Sequence, residues 1–423
     1  MKILVLTNLY PPHNIGGYEL RCRDVTESLC HRGHDVSVLT SNHVVDEGIK
    51  DEVRDYQVDR RLQVHGFFGH PWRGIRDLVQ LETTNNALLR ESIAKFRPDI
   101  IHVWNLGGIS KSLILTLQSQ EIPYVFDVSD HWIASSLKAD VWLDWWNRRK
   151  TSLPARLQRT WWNFEGQRRR FDQEAPTNPL SHIEFQRVYF CSSKMRRITA
   201  DAGYPVAHGE VIHCPVDSNR FNGAPSSPES PVKKLLYAGR LDPDKGIFSA
   251  LKAMCLIRES KGTTLTVFGD GEPDYVSGLR EFVKRNQIPV TFDSASYDEM
   301  PAIYRDHDAL IFPSEWEEPF ALAPLEAMAS GIPVIGTMTG GSAELLRHGQ
   351  NALTFEAGNS PELASRIRTL VGDPALAASI AGKAQREVRQ RFPLPVITDQ
   401  IERYLIETPG RWVPTPLPNF HAA

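Results

Sequence analysis

Short runs of Val, Ile and Leu alternate with longer amphipathic segments along almost the whole chain. The runs are apolar at consecutive positions, which is typical of strands covered on both faces in a parallel sheet with crossover helices. We predict nine such strands, at residues 3–7, 35–40, 100–104, 123–128, 187–191, 234–239, 264–269, 309–313 and 333–337. The sequence therefore predicts an α/β fold.

A segment dense in Pro, Ser and Gly, residues 221–232, separates two halves with the same alternation. A chain of 423 residues is too long for one ordinary hydrophobic core, so this segment is the expected hinge linker. We predict two Rossmann-like, doubly wound domains, at 1–220 and 233–392, facing each other across a cleft. Residues 393–423 are expected to return to the first domain. Such sheets bind ligands beyond the carboxyl ends of their strands, so the site is expected in the cleft.

Composition excludes several classes of function. The formal net charge of −3 gives no support to nucleic-acid binding. The five cysteines are scattered and lack metal-ligand spacing, so neither a disulfide framework nor a zinc site is expected, and a reducing cytoplasm fits best. The N-terminal apolar run is too short for a signal peptide, and no run is long enough to span a bilayer. We expect a soluble cytoplasmic protein, and peripheral attachment to the inner face of a membrane remains open.

The loop after the first predicted strand, PPHNIGG at 11–17, leads into an amphipathic helix that Gly33 is expected to end. Gly16 and Gly17 would let a ligand approach the backbone, and the helix N-terminus would offer N–H groups to an anion. Glycine pairs also serve ordinary tight turns, and the residues alone leave both interpretations open.

Two cations follow the first predicted strand of the second half, in GRLDPDKG at 239–246. Arg240 offers a fork of donors and Lys245 a point charge, a combination suited to clamping a diphosphate. The next strand ends in another glycine-rich turn, which begins at Gly269. Two surface cations on a loop would be the ordinary interpretation.

The stretch SEWEEPFALAPLEAMASGIPVIGT, at 314–337, contains two carboxylates eight residues apart. Glu318 is expected in the loop after a strand, and Glu326 in a helix at 323–330. One carboxylate can accept two hydrogen bonds, which suits vicinal hydroxyls. A sugar and a ribose joined by a diphosphate would match the whole arrangement. A helix-capping Glu318 and a solvated Glu326 form the alternative, and the residues alone leave the two close.

These motifs together resemble a known family. EPFALAPLEAMASGIPV resembles the EPFG…E signature of retaining GT-B glycosyltransferases, glycosyltransferase family 4 (glycosyl transferases group 1). GRLDPDKG resembles the diphosphate-binding loop of that family, GGSAE at 340–344 resembles its following turn, and YPPHNIGGYEL resembles its N-terminal glycine loop. The resemblance extends from Met1 to about Phe392.

The resemblance implies roles for the donor-site residues. Glu326 would bind the ribose hydroxyls and Glu318 the hydroxyls of the donor sugar. Arg240 and Lys245 would neutralise the departing nucleoside diphosphate. Backbone N–H groups that assist would come from Phe320, Ala321 and Leu322.

The resemblance also implies contributions from the first domain. Gly17 would approach the phosphates, and the segment at 127–136 would supply a sugar-facing side chain, either Asp130 or His131. Two departures from the family pattern matter most. Ala321 replaces a glycine, which should preserve the backbone contact. The stretch beginning at Asp293 differs from the family pattern near the expected position of the nucleotide base.

A DxD pattern at Asp242 and Asp244 resembles metal ligands of another glycosyltransferase architecture. Arg240 and Lys245 already balance the phosphate charge, and no further acid supports a metal site nearby. We therefore expect neither a metal nor another cofactor.

The segment at 137–170 contains half of the ten tryptophans, interleaved with arginines. It has three interpretations: an acceptor-binding element, an interfacial membrane element, or a helical pair that packs its aromatic side chains. The acceptor contacts would be Trp132, Trp145 and Trp146.

The sequence thus predicts a retaining glycosyltransferase, of the hexosyltransferase type, that moves a sugar from a nucleoside diphosphate to an acceptor hydroxyl or similar group. UDP is the expected nucleotide. A nucleotide-sugar epimerase of the same architecture and a catalytically silent nucleotide-sugar-binding protein are the alternatives. The sequence identifies neither the sugar nor the acceptor.

Overall fold

A computed structural model describes residues 1–45, 53–67, 73–137, 140–148, 153–164, 166–258 and 262–408. The chain divides into two compact units. The N-terminal unit contains Met1–Phe190, Arg196–Val211 and the chain from Thr398, and the C-terminal unit contains Cys191–Met195 and Ile212–Ile397.

The N-terminal unit is built on a seven-stranded parallel sheet with the order β3-β2-β1-β4-β5-β6-β7. Its strands are β1 (Lys2–Leu6), β2 (Asp35–Ser41), β3 (Gln57–Leu62), β4 (Ile100–Val103), β5 (Tyr124–Val128), β6 (Val188–Phe190) and β7 (Glu210–Val211). The register is fixed at the centre, where Leu4 of β1 pairs with Ser37 on one side and Ile101 on the other. The central strands are buried along nearly their whole length, as expected for a sheet covered on both faces.

The helices of the first half connect these strands. They are α1 (Gly17–His31), α2 (Ile75–Phe96), α3 (Ser112–Gln118), α4 (Trp132–Ser136), α5 (Val141–Asn147), α6 (Leu153–Phe164), α7 (Gln167–Glu174) and α8 (Ser193–Asp201). In α1, the buried side chains of Cys22, Val25 and Leu29 share one face at helical spacing. The helix ends as predicted before Gly33, whose φ of 86° lies in the left-handed region.

The C-terminal unit is built on a six-stranded parallel sheet with the order β10-β9-β8-β11-β12-β13. Its strands are β8 (Lys234–Ala238), β9 (Thr264–Phe268), β10 (Val290–Asp293), β11 (Ala309–Phe312), β12 (Val334–Thr337) and β13 (Leu353–Phe355). Its helices are α9 (Ile247–Leu256), α10 (Pro273–Asn286), α11 (Met300–Arg305), α12 (Leu322–Ala329), α13 (Ser360–Gly372) and α14 (Pro374–Arg391). The last helix, α15 (Leu394–Ile406), begins in this unit and from Thr398 onward belongs to the N-terminal unit. The hydrophobic core of this unit includes buried side chains from its strands, among them Leu235, Val267, Ile311 and Ile335.

All nine predicted strands are present, each within one residue of its predicted ends. The four strands that the sequence did not predict are β3, β7, β10 and β13, and each lies at an edge of its sheet. An edge strand has one neighbour and need not be apolar at consecutive positions, as the partly exposed β3 shows. The predicted parallel α/β fold is confirmed.

A buried ion pair joins α1 to β5 inside the N-terminal unit. Nη1 of Arg21 lies 2.7 Å from the Asp127 carboxylate, and their side chains are only 2% and 0% exposed. The Ser129 hydroxyl donates to the same carboxylate at 2.7 Å, and the Tyr18 hydroxyl donates to the Asp127 carbonyl at 2.5 Å. Because a buried charge without its partner is costly, this pair fixes α1 against the centre of the sheet.

Replacing one member of this pair leaves the other charge buried. We expect Asp127→Ala to lower the free energy of unfolding by about 3–5 kcal/mol, because the Arg21 guanidinium then loses its compensating charge. Urea unfolding followed by circular dichroism measures the loss. The control is Asp35→Ala, which removes an exposed partner of Lys2 at 3.7 Å and should stay within about 0.5 kcal/mol of the wild type. Equal effects of the two substitutions would contradict the structural role of Asp127.

Candidate active site

The order of the C-terminal sheet reverses between β8 and β11. From β8 the chain adds strands outward through β9 to β10, and from β11 it adds them in the opposite direction. Ligands of doubly wound sheets bind where the loops diverge at such a switch point. Arg240 and Lys245 follow β8, and Glu318 follows β11, so the structure places these three predicted residues at the switch point.

An ion pair connects the loops after β8 and β11. Nζ of Lys245, at the end of the 3-10 turn Pro243–Lys245, lies 2.8 Å from Oε1 of Glu318. The Ser314 hydroxyl donates to the same oxygen at 2.6 Å, and Glu318 is only 8% exposed. Oε2 of Glu318 accepts no hydrogen bond from the part of the chain that the structure describes. The pair therefore fixes the carboxylate while one of its oxygens stays available to a ligand.

The GGSAE turn holds the backbone around Glu318. The N–H of Gly341 donates to the Glu318 carbonyl at 2.6 Å. A Cβ at Gly340 would lie 2.2 Å from that carbonyl oxygen, so only glycine fits. Thr337, at the end of β12, donates its hydroxyl to the Ser314 carbonyl at 2.6 Å. The predicted motif thus acts by positioning the loop that carries Glu318.

Arg240 is the more exposed of the two cations. Its side chain is half exposed, and Nη1 lies 3.5 Å from Asp242. The Tyr237 hydroxyl donates to the Arg240 carbonyl at 2.8 Å. Burial, and then the negative charge of Glu318, raises the pKa of Tyr237 well above its usual value, so the hydroxyl stays a donor. The backbone at Arg240 is therefore anchored while the guanidinium faces solvent.

Glu326 lies in the second turn of α12 and is half-buried. The hydroxyl of Tyr304, a fully buried residue of α11, donates to its Oε2 at 3.0 Å. Burial, and then the charge of Glu326, raises the pKa of Tyr304 well above its usual value. Tyr304 thus remains protonated and orients the Glu326 carboxylate.

The helix α12 begins directly after the loop that carries Glu318. Over the described residues, the N–H groups of Phe320, Ala321 and Leu322 have no hydrogen-bond acceptor. Free N–H groups at a helix start favour an anion or an oxygen-rich ligand. The family resemblance implied that these three backbone groups assist donor binding, and that role stays a prediction.

Gly269 has a packing reason for lacking a side chain. A Cβ there would lie 1.9 Å from the carbonyl oxygen of Gly239, so the loops after β8 and β9 touch at this point. A contact of Gly269 with the donor stays a prediction.

In the glycine loop of the N-terminal unit, one backbone N–H group already has a hydrogen-bond acceptor. The N–H of Gly16 donates to Oε2 of Glu19 at 2.9 Å, and α1 begins at Gly17. Glu19 is buried, and burial raises its pKa to about 7. The approach of Gly16 and Gly17 to phosphate therefore stays a prediction, with the Gly16 N–H engaged by a carboxyl group.

Asp130 and His131 differ in their surroundings. The two carboxylate oxygens of Asp130 accept from the Trp132 N–H and the Asn105 side-chain amide, each at 2.7 Å. Burial raises the Asp130 pKa to about 6. His131 is half-buried and precedes α4, where its carbonyl accepts from the Ser135 hydroxyl. Asp130 thus fixes the start of α4, which favours His131 as the sugar-facing residue, and either role stays a prediction.

The tryptophan-rich segment is only partly described, because residues 138–139, 149–152 and 165 lie outside the described residues. Trp132, Trp142 and Trp146 are buried, and Trp146 packs against Phe171 with ring centroids 5.7 Å apart. This burial favours the packing interpretation for Trp142 and Trp146. Acceptor contacts by Trp132, Trp145 and Trp146 stay predictions.

Two observations concern metals and membranes. In the described ranges, no group of three His, Cys, Asp or Glu side chains is arranged to hold a metal ion. No helix within those ranges is both long and apolar enough to cross a bilayer. The expectation that the protein needs no metal stays a prediction.

Comparisons with known proteins agree with this geometry. The chain matches the family models Glycosyltransferase Family 4 over residues 15–220 and Glycosyl transferases group 1 over residues 221–387. A glycogen synthase of Mycobacterium tuberculosis is 25% identical over an alignment that covers 98% of this chain and 97% of that protein. A sulfoquinovosyl transferase of Arabidopsis thaliana is 23% identical, with coverage of 95% and 72%. The crystal structure of Anabaena HepE in complex with UDP and glucose has a TM-score of 0.67 at 21% identity and covers 96% of this chain and 100% of that one. The chain is a glycosyltransferase with the GT-B fold.

In each unit of this glycosyltransferase, several residues that contact the predicted site residues were not predicted. Ser314 follows β11 and Asn105 follows β4, so their place at the carboxyl end of a strand was an available signal. Glu19 stands three residues after Gly16, the spacing of a helix-capping glutamate. Tyr304 had no such signal, because its contact with Glu326 depends on how α11 packs against α12.

The raised pKa of Glu19 gives the glycosyltransferase a testable pH dependence. A folded-state pKa near 7, above the ordinary value of 4.5, means that the folded chain binds more protons between these values, so this contribution to stability is lost as pH rises. The Glu19→Gln variant lacks the titrating carboxyl group and therefore lacks this pH-dependent contribution. The free energy of unfolding of the wild type relative to the variant should fall by up to about 3 kcal/mol between about pH 5 and about pH 8.

Urea unfolding at both pH values measures this difference. Asp130→Asn is the companion variant, because Asp130 lies close enough to raise the Glu19 pKa and its own pKa is raised to about 6. The free energy of unfolding of the wild type relative to Asp130→Asn should also fall as the pH rises, by a smaller amount. A wild-type minus Glu19→Gln difference that does not change with pH would contradict the raised pKa.

Proposed function

We propose that this glycosyltransferase transfers a sugar from a UDP-sugar to an acceptor hydroxyl or similar group, with retention of the anomeric configuration. The observation that carries the proposal is the pairing of Lys245 with a buried Glu318 at the switch point of the C-terminal sheet. HepE, which has the same fold, holds UDP and glucose in its crystal structure, and this supports UDP as the nucleotide.

The two cations would stabilise the leaving group. As the bond between the sugar and the diphosphate breaks, negative charge develops on the phosphate oxygens, and fixed cations nearby lower the barrier. Glu318 holds the Lys245 ammonium in place by one contact, which leaves other N–H bonds of this three-donor group for phosphate. Arg240 adds a planar fork of donors that suits a second phosphate contact.

The two glutamates would bind hydroxyl groups of the donor. Glu318 offers Oε2 to the sugar, since Oε1 is occupied by Lys245 and Ser314. Glu326, oriented by Tyr304, would accept from the ribose hydroxyls. The N–H groups at the start of α12 lie between these residues in the chain and would donate to the donor sugar or its phosphate.

Retention rests on the resemblance to retaining enzymes and on the chemistry of Glu318. A carboxylate paired with Lys245 and hydrogen-bonded by Ser314 is a weak nucleophile, so a covalent sugar–carboxylate intermediate is disfavoured. In the proposed step the acceptor oxygen attacks the anomeric carbon on the face that the diphosphate leaves. The carbon–oxygen bond to phosphate breaks, and the acceptor proton passes to a phosphate oxygen.

Product analysis tests this function. The protein is incubated with a panel of UDP-, GDP- and ADP-sugars in the presence of a chelator, without acceptor and with candidate acceptors. We expect release of UDP, with water as a slow acceptor in the first arm, and a glycoside whose anomeric proton coupling in NMR matches that of the donor. Arg240→Lys should reduce turnover at least roughly tenfold, because an ammonium cannot form a forked contact with phosphate.

The other outcomes decide between the alternatives. An altered UDP-sugar would indicate an epimerase, and UDP-sugar binding without any product would indicate a silent binding protein. A product of inverted configuration would contradict the proposed retention. Activity that requires an added divalent metal would contradict the prediction that the protein needs no metal.

Nucleotide binding tests Glu326 separately. We expect Glu326→Ala to weaken UDP binding by about 1.5–3 kcal/mol, roughly tenfold to a hundredfold in Kd, because hydrogen bonds to a charged group are lost. Tyr304→Phe should cause a smaller loss, since it removes only the orienting hydroxyl. Titration calorimetry measures both, with Glu281→Ala, an exposed position on α10, as the unchanged control. Wild-type affinity in Glu326→Ala would remove Glu326 from the nucleotide site.

A further inference from the structure

The helix α6 presents a stripe of large apolar side chains to solvent. Leu153, Leu157, Trp161 and Phe164 are 69%, 64%, 61% and 90% exposed. At about 100° per residue these positions fall within about 80° of the helix circumference, so they form one continuous face. We call these four residues the α6 apolar face.

The opposite side of α6 is held against the protein. The Trp162 ring lies 5.4 Å from Trp145, 5.9 Å from Trp146 and 5.3 Å from Phe171, measured between centroids. Nη1 of Arg159 lies 3.0 Å from each of the carbonyl oxygens of Trp145 and Trp146, which it bonds at the end of α5. The α6 apolar face is therefore exposed because a specific packing of the other face turns it outward.

The chain around this face is strongly basic. Residues 148–170 contain eight Lys or Arg and one acidic residue, in a protein whose net charge is −3. Arg156 and Arg169 are exposed and have no ion-pair partner in the described part of the chain. Arg148 and Arg170 are also exposed, and each pairs with one neighbouring acid. Arg156 lies on α6 itself and Arg169 lies on α7, which packs against α6, so the region that carries the apolar face also carries uncompensated positive charge.

We propose that α6 attaches the protein to an anionic lipid bilayer, with its apolar face in the interfacial region and the surrounding arginines at the headgroups. An amphipathic helix with bulky apolar side chains on one face and basic residues at its borders matches this environment. Arg and Trp side chains each combine an apolar body with a polar end, which suits the boundary between lipid and water. The helix has 12 residues, about 18 Å, so it lies along the surface. This attachment is independent of the proposed transfer reaction.

Charge distinguishes a bilayer from other occupants of the face. A second copy bound face to face would bring two basic segments together, which is unfavourable. Residues 409–423 of this chain contain Arg411 and no acidic residue, so they offer no complementary charge. An anionic lipid surface provides both an apolar layer and negative charge.

Vesicle sedimentation tests the attachment without any donor or acceptor. We expect the wild type to sediment with vesicles of phosphatidylglycerol and phosphatidylcholine, to bind phosphatidylcholine vesicles weakly, and to be released by salt, which screens the arginines. Leu157→Ser/Trp161→Ser should lower the partition coefficient roughly tenfold or more, because apolar area no longer enters the bilayer. Arg156→Glu/Arg169→Glu should lower it on the anionic vesicles alone.

The matched control is Leu256→Ser/Ile406→Ser, which removes two exposed apolar side chains from other helices and should bind vesicles like the wild type. The melting temperature and UDP affinity of the α6 variants should stay unchanged, since the altered side chains face solvent and UDP is expected to bind the C-terminal unit. Equal binding to both kinds of vesicle, wild-type binding by the α6 variants, or loss of binding in the control would overturn the proposal. So would self-association in the absence of vesicles that Leu157→Ser/Trp161→Ser abolishes.

Discussion

The contact between the Lys245 ammonium and the Glu318 carboxylate joins two loops that are 73 residues apart in the sequence. A carboxylate as buried as Glu318 loses most of its hydration, and one ion pair rarely compensates for that loss. Ser314 supplies a second bond to the carboxylate, and the glycines of the GGSAE turn allow the backbone to close over it. The site is therefore assembled by contacts within the protein. A group held in this way needs little reorganisation when charge develops nearby, and such preorganisation is the largest source of catalysis in many enzymes.

The accuracy of the fold prediction follows from burial. A central strand of a doubly covered sheet must be apolar at consecutive positions, so β1, β4, β8 and β11 could be predicted almost to the residue. The edge strands β3, β7, β10 and β13 have a single neighbour, and three of them are at least partly exposed. Their pairing is determined by tertiary contacts with the adjacent strand, which no local pattern in the sequence records.

The candidate site could be predicted to the extent that its residues follow strands directly. Lys245 and Glu318 stand in the loops after β8 and β11, and the rule for doubly wound sheets is sufficient to bring those loops together. The residues that orient them were missed, because a bond such as Tyr304 to Glu326 depends on the packing of two helices. The N-terminal glycine loop shows the reverse case. There the sequence left open whether the loop serves a ligand or an ordinary turn, and in the structure the Gly16 N–H donates to Glu19.

The tryptophan-rich segment shows why composition could not choose between its interpretations. Trp161 and Trp162 are adjacent and therefore about 100° apart on α6. Trp162 packs against Trp146, whereas Trp161 is among the most exposed large apolar side chains of the described residues. Packing and surface attachment looked like alternatives for one segment, but the observed packing and the proposed attachment involve opposite faces of one helix. The bonds from Arg159 to the end of α5 fix which face is which. The composition is therefore ambiguous because the orientation of the helix, which tertiary contacts determine, decides which side chains pack and which face solvent.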